Sequence, residues 1–517
     1  MPFIPQNTFT QSLPGDPETS NEVRKVFGAC YSFVTPTKPV NPTLIHTSKE
    51  VFQNIGLQYT KENKNHFTDL FSGAIILKNT QPYSMCYGGH QFGNWAGQLG
   101  DGRAINLFES NGYTVQLKGA GKTPYSRTAD GLAVLRSSIR EYLCAEAMHH
   151  LGVPTTRSLS LISSGNKVLR DVLYNGNPAY EQGAIVARVA PSFIRFGNFE
   201  IHASRNDIAT LQQLTDYTIS HHFPEIYSEG KQKYLDFFQK VVQSTLAMVL
   251  HWQRVGFVHG VMNTDNMSIH GITIDYGPYG WLEDFDPDWT PNTTDREYRR
   301  YRFGNQPEVA LWNLYQLANA LYPLLQESDG LQRILEQYPI DFERGYQQMM
   351  LRKLGLENTI ENEDKFLTEL TQNLKVTSTD FTIFFRLLST IKKEDTSSIA
   401  LDKISSSFYY PERITEAMKR QWLDWFSVYL NRLQNELLTD EERSKNMNQV
   451  NPKYVLRNYM AQLAIEEAEK GNYQLIDELF TLLQKPYDEQ PDYERWFTKR
   501  PEWAKTKIGC SMLSCSS

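Results

Sequence analysis

Between His259 and Gly277 the chain reads H-G-V-M-N-T-D-N-M-S-I-H-G-I-T-I-D-Y-G, and its polar residues are spaced as if to act together. Asp265 and Asn266 are adjacent. Two apolar runs follow, Met267–Ile269 and Ile272–Ile274, split by His270-Gly271, and the second leads into Asp275. Apolar runs parted by a turn dipeptide predict a small β-hairpin. Such a hairpin sets Asn266 and Asp275 side by side at one end of the paired strands. An amide oxygen and a carboxylate held together suit a hard divalent cation that also takes phosphate oxygens. Asp and Asn are equally at home in a turn, so the hairpin alone leaves both readings open.

Phosphate chemistry needs donors, and the chain upstream supplies candidates. Y-G-G-H-Q-F-G-N-W-A-G-Q-L-G-D-G-R, from Tyr87 to Arg103, is dense in glycine, which lets backbone approach a ligand closely. On its own such a cluster reads as a turn-rich hairpin, and it is not a Walker A motif, which needs Lys then Ser/Thr opening a helix. It runs into a predicted strand from Ala104 to Phe108. The next predicted strand, Tyr113 to Lys118, ends on a lysine. Leu135, Ile139, Tyr142 and Leu143 have helical spacing, so Glu141 falls on a helix that could present it to Lys118. Arg188 and Arg195 sit in an apolar, aromatic segment. A guanidinium there is costly unless it meets an anion, either phosphate or a protein carboxylate, and the sequence favours neither.

The elements that must carry these groups are legible in outline. Tyr234 to Trp252 is a long amphipathic helix entering the loop at His259, and Val309 to Leu325 is apolar nearly all round and therefore buried. Trp281 to Arg302 runs from acidic through Pro-rich to basic. Beyond residue 326 the pattern is mostly helical, including Trp422–Leu433 and two helices between Leu456 and Leu483 parted by Gly471. The first 80 residues are rich in Pro, Thr and Asn and are expected to lie across the folded body as an extended arm. At 517 residues the chain can bury a large core. A net charge of −7 without a Lys/Arg run argues against nucleic acid as a partner. No stretch approaches a membrane span, and Met1 to Pro14 has no signal-peptide pattern, so the expectation is a cytoplasmic protein. Five cysteines make no disulfide framework; Cys510 and Cys515 lie in a small-residue tail expected to be mobile and exposed.

The order of these parts (Gly-rich loop, strand Lys, helix Glu, Asn and D-Y-G) resembles protein kinases. The resemblance has a defect: a kinase holds its base two residues after the loop His, where this chain has Val261, and the nearby carboxylate is Asp265 instead. Longer motifs narrow the likeness. Y-G-G-H-Q-F-G, L-G-D-G-R, L-K-G-A-G-K-T-P-Y-S-R, D-G-L-A-V-L-R-S-S-I-R-E, H-G-V-M-N-T-D-N, I-D-Y-G-P-Y-G, N-P-x-x-V-L-R-N and the C-S-S ending resemble the selenoprotein-O (SelO, YdiU-like) family over nearly the whole chain.

The resemblance implies an α+β, bilobal, protein-kinase-like (pseudokinase) fold with an added N-terminal arm and a large C-terminal helical region. The arm would cover 1–80, an N-lobe-like nucleotide region 81–200, a C-lobe-like region 201–325, helices 326–500 and the tail 501–517. It implies a protein adenylyltransferase that moves AMP from ATP to a Ser, Thr or Tyr hydroxyl with ATP flipped relative to kinases. Gly100, Gly102, Arg103, Lys118, Asp130, Gly131 and Asp275 would contact nucleotide, and Arg188 and Arg195 would grip the buried γ-phosphate. Asn266 and Asp275 would hold Mg²⁺ or Mn²⁺, Asp265 would accept the proton, and Glu141 would orient Lys118. Protein substrates and a monomeric state are expected. An ordinary kinase, a UMP transferase using Mn²⁺, and an inert nucleotide-binding scaffold are the alternatives. Family members carry a redox-active residue third from the end, here Cys515, which in some pairs with a Cys in the loop after D-Y-G. That loop has no Cys here, leaving a Cys510–Cys515 disulfide or two free thiols.

Overall fold

The computed structural model describes residues 5–171, 176–510 and 512–514. It is a mixed α+β protein built on one antiparallel sheet. The strands are β1 (Tyr31–Phe33), β2 (Thr43–Thr47), β3 (Tyr83–Met85), β4 (Ala104–Ser110), β5 (Tyr113–Lys118), β6 (Ala133–Val134), β7 (Arg157–Arg170) and β8 (Ala179–Ala190). Their order is β1-β3-β4-β5-β8-β7-β2, with β6 also pairing β8.

The alternation of strand side chains sorts the sheet into an apolar and a chemical face. Val115 and Leu117 of β5, Ala187 and Val189 of β8, and Ile105 and Leu107 of β4 point into one core. The helices α1 (Lys49–Asn54) and α2 (Lys64–Phe71) cover that face through Phe52, Phe67 and Phe71. Gln116, Lys118 and Arg188 alternate with those residues and belong to the other face. Against it lies α3 (Leu135–His150), almost wholly buried, carrying Glu141. The first 80 residues are therefore more than the expected extended arm: they supply β1 and β2 to the sheet and two helices to its outer face.

The rest of the chain is mainly helical. α4 (Phe196–Ser204) follows the sheet, and α5 (Gly230–Val255) buries Tyr234, Phe237, Phe238, Val241, Met248 and Trp252 along one stripe before ending on Gly256 at φ 72°. Glycine reaches that left-handed turn without strain. α6 (Gln306–Leu325) and α7 (Asp329–Leu354) pack along α5. A second core forms around α8 (Glu416–Asn435), where Trp422, Trp425, Phe426 and Tyr429 interlock. α9 (Asn458–Glu469) and α10 (Gln474–Leu483) return to pack on α3. Among the described residues no helix is long and apolar enough to cross a membrane.

Two local expectations are corrected. Met267–Ile269 and Ile272–Ile274 do not pair with one another as a β-hairpin. Ser268 bridges Arg195, with Phe196 N donating to Met267 O at 2.9 Å, while Thr273 bridges Thr155, with Thr273 N donating to Pro154 O at 2.8 Å. Both edges are satisfied by other segments, so the turn at Gly271 joins two separately anchored pieces. Nor is the described part of the tail exposed. Cys510, Leu513 and Ser514 are buried, and Leu513 O accepts from Thr293 N at 2.8 Å. Cys515, and with it the proposed Cys510–Cys515 disulfide, lies outside the described residues.

Candidate active site

A cleft of about 760 Å³ opens between the chemical face of the sheet and the loop leading to Asp275. Gly100, Gly102, Arg103, Lys118, Asp130 and Gly131 line it from the sheet side. Arg188, Arg195, Asp265, Asn266 and Asp275 line its floor. The structure thus brings every sequence-predicted site residue to one cleft, from segments as far apart as residues 100 and 275.

The floor is a web of charge centred on Asp275. Arg188 Nη1 donates to Asp275 Oδ1 and to Glu141 Oε1, both at 2.7 Å. Its Nε and Nη2 share Gln116 Oε1 at 2.9 and 2.6 Å, across the register that sets Arg188 opposite Gln116. Arg195 Nη1 donates to Asp275 Oδ2 at 2.5 Å and to the Asp265 carbonyl at 2.7 Å. Lys118 Nζ lies 2.7 Å from Glu141 Oε2 and 3.5 Å from Asp275 Oδ1. Burial pushes the Asp275 carboxyl up, but Arg195, Arg188 and Lys118 overcome it and hold it well below the ordinary range. Burial also lowers the Lys118 ammonium, with Glu141 opposing. Asp275 takes φ 58°, a left-handed conformation uncommon outside glycine. The arginines here meet protein carboxylates, the second of the two partners the sequence allowed, and both also line the cleft.

Asp265 stands apart from this web. Its side chain is buried, Oδ2 accepts from Gln91 Nε2 at 3.3 Å, and Oδ1 has no hydrogen-bond partner. Burial lifts its carboxyl to about 7, with the Arg195 charge pulling the other way. Oδ1 is packed against the Gly89 backbone, and a carboxyl at the cleft with a value near neutrality is suited to proton uptake there.

The glycines also permit close packing within the protein. A methyl on Gly102 would lie 2.9 Å from the Tyr125 carbonyl, and Gly100 has φ 78° with its hydrogens against the Tyr125 ring. They let the 100–103 turn pack on the 121–126 segment, which itself lines the cleft. Asp130 is held by Arg170, whose two Nη atoms donate at 2.8 Å to its two oxygens. Burial raises the Asp130 carboxyl but Arg170 brings it below the ordinary value.

Four polar cleft residues escaped the sequence reading. Asp101 is buried, accepts from Met85 N at 3.0 Å, and lies 3.9 Å from Arg195. Burial raises its carboxyl and Arg195 opposes. Gln116 anchors Arg188, Gln91 reaches Asp265, and Arg170 clamps Asp130. Asp101 lay inside a quoted motif, and Gln116 lies two residues before Lys118 on the same strand face; that alternation was the available signal. Gln91 likewise lay inside Y-G-G-H-Q-F-G, and Arg170 had no such signal.

Among the described residues no three His, Cys, Asp or Glu side chains are grouped to hold a metal. Asn266 and Asp275 nevertheless suit a partial hard-cation site. Asn266 Nδ2 donates to Val261 O at 2.9 Å, leaving its amide oxygen as an acceptor. Each Asp275 oxygen retains a lone pair beyond its arginine bond. Two protein oxygens plus phosphate and water is how Mg²⁺ is commonly held.

The whole chain can now be set beside known proteins. The family model described as Protein adenylyltransferase SelO matches residues 19–484. The protein nucleotidyltransferase YdiU of Flavobacterium johnsoniae is 63% identical over 515 residues, covering 99% of both chains. Those of Rhodopirellula baltica and Aromatoleum aromaticum are each 52% identical, over 532 and 525 residues, covering 98% or more of every chain. With a family model matched over most of its length and an identity this high from end to end, the chain belongs to the SelO/YdiU family of protein nucleotidyltransferases.

Proposed function

We propose that this protein transfers AMP from ATP to a Ser, Thr or Tyr hydroxyl of a protein, releasing pyrophosphate. The observation that carries the reading is the pairing of two unlike carboxylates in one cleft. Asp275 is paired with two arginines, while Asp265 is buried with only a Gln91 contact to its side chain. Lys118, Arg188 and Arg195, interleaved with Glu141 and Asp275, would meet the tail of a triphosphate inserted terminal-phosphate first. In that pose the β- and γ-phosphates are the clamped leaving group and the α-phosphorus faces Asp265. Gly100, Gly102, Arg103, Asp130 and Gly131 flank the nucleotide, within a kinase-like arrangement of a lobe at 81–200 over one at 201–325.

Asp265 takes the acceptor proton as the hydroxyl oxygen bonds to the α-phosphorus. The Pα–O bond to the β-phosphate breaks and its electron pair leaves with pyrophosphate. Glu141 keeps Lys118 and Arg188 aimed at the cleft. A divalent cation, Mg²⁺ or Mn²⁺, held by Asn266 and Asp275 would supply neutralisation of phosphate charge. Nucleotidyl transfer of this kind depends on positioning and electrostatics more than on a strong base.

The test is label position. Incubation of the protein and a protein acceptor with ATP labelled at the α-phosphate should label protein covalently. Transfer of label from the γ-position alone would make the protein a kinase, and labelling from α-labelled UTP in preference to ATP would change the group transferred.

A further inference from the structure

We propose that Asn106 and Gln116 are positioning residues for the cleft floor. A buried row of amides across β3, β4, β5 and β8 gives the Arg188 fork one fixed direction, and Arg188 in turn holds Asp275 and Glu141. This rests on the nucleotidyl-transfer reading above, in which the floor receives the triphosphate tail. Neither amide is among the expected nucleotide or cation contacts.

The row follows the sheet register. Tyr83 stands opposite Asn106, Asn106 opposite Gln116, and Gln116 opposite Arg188. All three polar side chains are buried, the two amides completely. A guanidinium only donates, so the Gln116 atom that meets Arg188 is its oxygen, taken by Nε at 2.9 Å and Nη2 at 2.6 Å. The Gln116 amide nitrogen therefore points back along the row and donates to Asn106 Oδ1 at 3.0 Å. Asn106 Nδ2 is left facing the Tyr83 carbonyl, which accepts at 3.4 Å. Each amide is oriented by its neighbours, from a backbone acceptor at one end to a charge at the other.

The torsion of a terminal amide is broad and nearly two-fold. Without the Asn106 oxygen, the Gln116 amide is free to turn its nitrogen toward the guanidinium, and Arg188 then loses both bonds. What Arg188 holds loses its brace as well. Its Nη1 donates to Glu141 Oε1 and to Asp275 Oδ1, both at 2.7 Å, and Glu141 Oε2 lies 2.7 Å from Lys118 Nζ. The Lys118 and Asp275 side chains are 10% and 19% exposed against 2% for Arg188. Those two open into the cleft, and Arg188 supports them from beneath.

Gln116→Leu removes the acceptor, Gln116→Glu keeps an oxygen toward Arg188, and Asn106→Leu removes the oxygen that orients Gln116. Full-length variants are titrated with ATP and with AMP in the presence of Mg²⁺, alongside thermal melting. ATP affinity should fall about 10-fold in Gln116→Leu and about threefold in Asn106→Leu, with AMP affinity within about twofold of wild type. Gln116→Glu should stay within about threefold of wild type for ATP, because the acceptor is kept. Combining Gln116→Leu with Arg188→Lys should cost less than the product of the two single effects, as for residues acting through one fork. A wild-type preference for ATP over AMP that is unchanged in Gln116→Leu or in Asn106→Leu overturns the role of the row. So do equal losses in Gln116→Leu and Gln116→Glu, or a fully multiplicative double variant. Equal affinity of the wild-type protein for ATP and AMP overturns instead the reading of the floor as a triphosphate site.

Discussion

Arg188 shows most clearly what one side chain does here. Its planar fork meets Gln116, Glu141 and Asp275 at once, a geometry a lysine cannot reproduce. Arg188→Lys should keep a positive charge yet lower kcat/KM for α-labelled ATP by about 10-fold or more, because the fork is lost. Arg188→Ala goes further. It leaves Glu141 and Asp275 buried with less compensation, and should cost about 3 kcal/mol in urea-induced unfolding. The sequence posed Arg188 as a choice between phosphate and carboxylate partners. The structure shows the carboxylate partners, with the guanidinium paired to Asp275 where it lines the cleft. Asp265 was named from the sequence, but its free Oδ1 and its carboxyl near 7 come from burial, which no residue spacing records.

At the scale of elements, the segment after Tyr279 ties the cleft to the C-terminal helices. Glu283 on this segment accepts from Arg500 Nη1 at 2.9 Å, while its Oε1 is buried without a partner. Arg457 is close by but is spent on Asp380, donating to both its oxygens at 2.8 and 2.9 Å. Burial pushes the Glu283 carboxyl up to about 7 against the pull of Arg457 and Arg500. A carboxyl whose folded value exceeds its unfolded value of 4.5 favours folding only while protonated in the fold. Its stabilising contribution is complete at low pH and declines as pH rises from about 4.5 to about 7. Glu283→Gln should therefore flatten that decline and raise stability at pH 8 by up to about 3 kcal/mol, read from unfolding at several pH values. Strands such as β5 and helices such as α5 were legible because period-2 and period-3.6 patterns survive in their side chains. The hairpin after Asp265 was misread because its two apolar runs look alike whether they pair with each other or with Arg195 and Thr155.

Across the whole molecule, the described end of the chain closes on the cleft's rear. Asn458 Nδ2 donates to Cys510 O at 2.8 Å, and Asn458 Oδ1 accepts from Arg140, the neighbour of Glu141 on α3. Thr293 takes Leu513 O through both its backbone and its hydroxyl, while Asn292 Nδ2 donates to Gly260 O in the loop before Asp265. Removing residues 508–517 strips away the fully buried Leu513 side chain and should lower stability by about 2–3 kcal/mol. The drop would be seen in thermal melting, together with new proteolytic cleavage near Thr293. The Cys510 thiol, pushed up to about 12 by burial, stays protonated and unreactive at neutral pH.

The sequence by itself determined the family, the strand carrying Lys118, the helix carrying Glu141 and the identity of every motif residue at the cleft. Those features are local in type and spacing, so the chain states them directly. Only the tertiary structure decided that Gln91 would reach Asp265, that Gln116 would stand opposite Arg188, and that the tail would bury Leu513. Each of these is a contact between segments distant in the chain. Such contacts follow from sheet register and helix packing summed over many residues, and no single stretch of sequence encodes that sum.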